Sequence, residues 1–77
     1  MKFYKVKGLE NACYAVREDG EKVALIIFAP EAIAKEIVFA NHYIDNEWIV
    51  IRNNEEKTVI SGFGCKAAAK DYVRDNL

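Results

Sequence analysis

The chain has 77 residues, a formal net charge of −1, 52% apolar residues and 30% charged ones. That balance excludes a disordered chain, and the slight acidity argues against a dedicated nucleic-acid binder, which is usually basic. The longest apolar run is far short of the roughly 20 residues that a membrane-spanning helix needs. Charge returning at Lys5 and Lys7 leaves no apolar signal-peptide core near Met1, so the expectation is one domain over residues 1–77, located in the cytoplasm.

Lys2 to Lys7 alternates, with Tyr4 and Val6 on one face and Phe3, Lys5 and Lys7 on the other, which predicts a half-buried strand. Gly8 to Asn11 reads as a turn. Ala12 to Arg17 reads as a second strand, with Tyr14 and Val16 opposite Cys13, Ala15 and Arg17. Asp19-Gly20 then lies between two apolar runs, the strongest hairpin signal in the chain, because glycine accepts the positive φ of a tight turn.

Lys22 to Tyr43 is the stretch around which the rest is organised. Val23 to Phe28 is apolar on both faces, the pattern of a central strand covered on both sides. Pro30 suits the first helical position, and Glu31 suits the positive end of the helix dipole. A helical period then runs to His42. Ile33, Ala34, Ile37, Val38 and Asn41 form its inward stripe, and Phe39 and Tyr43 lie on one flank.

Asp45-Asn46 marks the next turn. Glu47 to Arg52 is rich in strand formers, Asn53 to Lys57 is a polar hairpin loop, and Thr58 to Ser61 is a short last strand. After Gly62-Phe63-Gly64, an alanine-rich helix spans Cys65 to Asn76, with Ala68, Ala69, Tyr72, Val73 and Leu77 toward the core. The order β-β-β-α-β-β-α predicts an α+β fold: a small two-layer domain with a mostly antiparallel sheet and two helices on one face. The other face, drawn from Phe3, Lys5, Lys7, Cys13, Ala15, Arg17 and one face of the third and fourth strands, is then too apolar to be fully solvated. That face or an edge strand is expected to meet another chain.

Candidate chemistry is sparse. His42 is the sole histidine and has no motif linking it to Cys13, Cys65, Ser61 or Thr58 as a nucleophile. One histidine and two distant cysteines fall short of a zinc site, and both thiols are expected buried and free. Glu55 with Glu56, and Asp71 with Asp75, read as solvated carboxylates. Gly62 to Lys66 opens a helix, where backbone N–H groups can hold an anion, but it lacks the rest of a phosphate-binding fingerprint. The expectation is therefore no catalytic residue, metal or cofactor.

Thr58-Val59-Ile60-Ser61-Gly62-Phe63-Gly64, followed by the helix Cys65 to Val73, resembles the strand–Gly-x-Gly–helix segment of HicB-like antitoxin domains. The resemblance covers the last quarter of the chain. Lys66-Ala67-Ala68 stands where that family commonly has a Ser or Thr helix cap and an acid–alanine pair, so no functional residue is carried over. In size and texture the chain resembles small phage or prophage accessory proteins, a group that includes inhibitors of host defence.

These readings favour a non-enzymatic protein-binding module, in one version a homodimer, with Phe3, Lys5, Phe39, Tyr43 and Arg52 as contact residues. The second reading is a nucleic-acid-binding module. It uses Lys5, Lys7 and Arg17 on a sheet face, or the basic stripe Lys66, Lys70 and Arg74 along the last helix.

Overall fold

The computed structural model describes residues 1–38 and 46–77. Five strands, β1 (Lys2–Lys5), β2 (Ala12–Val16), β3 (Lys22–Phe28), β4 (Trp48–Arg52) and β5 (Val59–Phe63), form one sheet in chain order. Every neighbouring pair is antiparallel. Helix α1 (Ala29–Ala34) joins β3 to β4, and α2 (Lys66–Asn76) follows β5. The α+β class and the expected element order are both present.

The β2–β3 hairpin closes as its sequence predicts. The Gly20 N–H donates to the Arg17 carbonyl at 2.9 Å, the Arg17 N–H donates to the Glu21 carbonyl at 2.9 Å, and Gly20 takes φ 91°. A positive φ at that position costs glycine nothing. One residue further, β3 carries an extra residue: Val16 pairs with Lys22, but Ala15 pairs with Ala24. The bulge turns Val23 to the same side as Ala24, and both are buried in one cluster.

The core divides into two layers, one on each sheet face. Cys13, Ala15, Ala24, Ile26 and Val50 pack with Ala69 and Val73 of α2. Ala12, Ile27 and Ile49 pack with Ala29 and Ala32 of α1. The helices therefore lie on opposite faces, which corrects the expectation of two helices on one. The physical reason lies in β3, whose successive residues Ile26 and Ile27 face opposite sides, are both fully buried and each need a cover. Small residues let α2 sit close: Ala15, Ala24 and Ala69 meet where larger side chains would hold the layers apart.

The face holding Phe3, Cys13 and Ala15 is accordingly the face under α2, with Ala15 fully buried. That corrects the expectation that this set is uncovered. Alternation sorts residues into two faces without saying which one a later helix will cover.

Helix α1 is shorter than its periodicity predicts. Within the described residues it stops at Ala34, and the remainder of the expected helix, from Phe39 to His42, lies outside them. The stop is a Schellman motif: the Ile37 N–H donates to the Ala32 carbonyl at 2.8 Å, and the Glu36 N–H donates to the Ile33 carbonyl at 3.0 Å. Glu36 takes the left-handed position at φ 58°, where glycine is usual. The inward face of α1 is Ala29 and Ala32; Ala34 and Ile37, expected inside, are exposed. In α2 the expected side does face inward, with Ala69 and Val73 buried and Ala68, Tyr72 and Leu77 partly so.

Glu31 does more than meet a helix dipole. Its two carboxylate oxygens accept the Glu10 N–H at 2.9 Å and the Asn11 N–H at 2.7 Å, holding the β1–β2 turn against α1. Glu47 is a buried acid, 7% exposed, whose Oε2 accepts the Gly62 N–H at 3.0 Å. Gly62 takes φ 95° within a β5 bulge, where three steps from Ile60 to Phe63 oppose two from Val50 to Trp48.

Candidate functional site

The open surface of the sheet lies on the α1 side. Antiparallel register aligns Tyr4 with Tyr14, Tyr14 with Leu25, Leu25 with Ile51 and Ile51 with Val59. This apolar row crosses all five strands. It lies two residues along each of the three central strands from the row that α1 covers, and no element among the described residues closes over it. Tyr4 is 51% exposed, and the other four are partly exposed. Cross-strand neighbours lie within side-chain contact, so the row forms a continuous surface.

Ile37 and Val38, just past α1, wall one side of this surface and turn it into an open groove of about 470 Å³ floored by Tyr14, Leu25, Ile51 and Val59. The opposite rim is basic. The Lys22 Nζ sits 4.3 Å from the Tyr14 ring centroid, a cation–π contact that keeps the ammonium beside the apolar floor. The Asn53 Nδ2 donates to the Lys22 carbonyl at 2.9 Å, and the Lys57 Nζ donates to the Asn53 Oδ1 at 2.8 Å. Lys22, Asn53 and Lys57 are thus one linked edge. Lys2 joins the same end through its pairing with Val16, itself opposite Lys22. Among the described residues no acid lines the groove. The surface combines apolar area with positive charge.

The α2 side presents a different surface. Lys66, Lys70 and Arg74 do form a ridge, as their spacing predicts, but they lie over aromatic rings. The Lys70 Nζ is 5.1 Å and the Arg74 Cζ 5.0 Å from the Phe3 centroid, and the Lys66 Nζ is 5.8 Å from that of Trp48. Arg74 also pairs with the Asp71 Oδ1 at 2.8 Å. Phe3 is therefore packed beneath cations and against the α2 core. Trp48 stacks at a tilt on its β3 neighbour Phe28, with centroids 5.3 Å apart.

The remaining proposed residues scatter. Lys5 is exposed on the α2 side, paired with Cys13. Lys7 lies in the β1–β2 turn, whereas Arg17 lies at the other end of that hairpin. The Arg17 Nη2 and Nε donate to the Leu77 carbonyl at 2.6 and 3.2 Å, and Arg17 pairs with Glu21 at 3.5 Å. Arg52 borders the groove, though its register with Ala24 assigns its side chain to the α2 side. Phe39, Tyr43 and His42 lie outside the described residues.

The two thiols differ. Both are free, but Cys13 is buried and Cys65 is exposed, which corrects the expectation that both are buried. Burial pushes the Cys13 thiol pKa up, and nearby Lys70 and Lys66 offset part of that rise. Among the described residues no group of three or more His, Cys, Asp or Glu side chains is placed to hold a metal ion, and no helix is long and apolar enough to cross a membrane.

The groove residues Tyr14, Lys22, Leu25, Ile51, Lys57 and Val59 were not singled out by sequence reasoning. Each strand's alternation showed which residues share a face, but only the pairing register lines them up across strands. Set against known proteins, the chain matches no family model, no curated protein and no solved structure.

Proposed function

We propose that the chain is a small non-enzymatic protein-binding module that docks a partner on the open α1-side face of its sheet. The observation that carries this reading is the row Tyr4–Tyr14–Leu25–Ile51–Val59, over which no element among the described residues closes. A protein this small buries a modest share of its surface and gains little from leaving a continuous apolar row in water. Lysines at the rim supply orientation and discrimination, and the apolar floor supplies affinity. The accessory, partner-occluding role of a small phage or prophage protein acting in the cytoplasm fits a module of this kind.

The test is a comparison of two chains, wild type and the double variant Tyr4→Glu/Tyr14→Glu. Both are used as bait in the native host and both are sized by sedimentation. Tyr4 is exposed and Tyr14 partly so, and circular dichroism checks that the variant is folded. The reading expects a partner bound by the wild type and lost by the variant. An identical captured set from both folded baits overturns it. A wild-type dimer that the variant abolishes would make the partner a second copy.

The second reading, nucleic-acid binding, draws on the ridge of Lys66, Lys70 and Arg74. It requires retention on a polyanion that falls steeply with salt as counterions are released. The same cations occupy the Phe3 and Trp48 rings that base stacking would use, so protein binding is the better-supported reading.

A further inference from the structure

We draw no further inference here: the strongest candidate, the apolar groove between Ile37 and Val38 on one side and the rim of Lys22, Asn53 and Lys57 on the other, belongs to the docking face already described, and nothing in the structure shows what covers it.

Discussion

Glu31→Ala should loosen the β1–β2 turn from α1. In the folded chain this carboxylate accepts two backbone N–H bonds, from Glu10 at 2.9 Å and from Asn11 at 2.7 Å. A hydrogen bond to a charged group contributes about 1.5–3 kcal/mol when shielded from water. Both donors lie in an exposed turn, so water replaces part of what is lost, and a total of about 1–2 kcal/mol is the working value. For a domain of this length each kcal/mol lowers Tm by about 4–8 °C, so the expected drop is roughly 4–16 °C. Glu31→Gln keeps one acceptor oxygen and should lose about half as much. Urea melts provide the stability change, and amide exchange locates it: Glu10 and Asn11 should exchange faster, while the Ile26 and Val50 amides follow global stability. A helix-dipole role alone would cost about 0.3–1 kcal/mol and leave the turn amides alone. Unchanged exchange at Glu10 and Asn11 in Glu31→Ala would refute the clamp.

Other substitutions probe the rest of the fold. Glu36→Gly should raise stability by about 0.5–1 kcal/mol, seen as a higher urea midpoint at constant slope, because a non-glycine residue pays to hold φ 58°. Ile26→Val, at a fully buried position between β2 and β4, should cost about 0.5–1.5 kcal/mol in the same assay. Cys65 should react with a thiol reagent at once and Cys13 only as the chain unfolds, shown by mass spectrometry of timed samples. Because folding raises the Cys13 pKa, the unfolded chain gives up that proton first. Stability should be steady below the ordinary thiol pKa and fall as pH rises past it toward the folded value; Cys13→Ser should remove that alkaline decline.

Local signals in the chain were read correctly where local physics governs. Asp19-Gly20 marks a hairpin because only the backbone conformation of glycine matters there. The inward side of α2 follows from a period that no neighbour disturbs. Other features depend on partners remote in sequence. Glu31 looked like a dipole complement, yet its oxygens are committed to a turn about twenty residues earlier. Phe3 looked like a contact residue, and Lys70 and Arg74 from the other end of the chain lie over it.

The amino-acid order by itself determined the strands, their sequence, the double-faced burial of β3 and the mixed class, since these rest on periodicity, turn chemistry and apolar content. Tertiary structure decided which face each helix covers and which side chains form the groove. Alternation is symmetric between two faces: it states that Tyr14 and Val16 point one way and Cys13 and Ala15 the other. Only the burial of Ala15 against Ala69, and of Ile27 against Ala29 and Ala32, breaks that symmetry and, among the described residues, leaves Tyr4, Tyr14, Leu25, Ile51 and Val59 with no element over them.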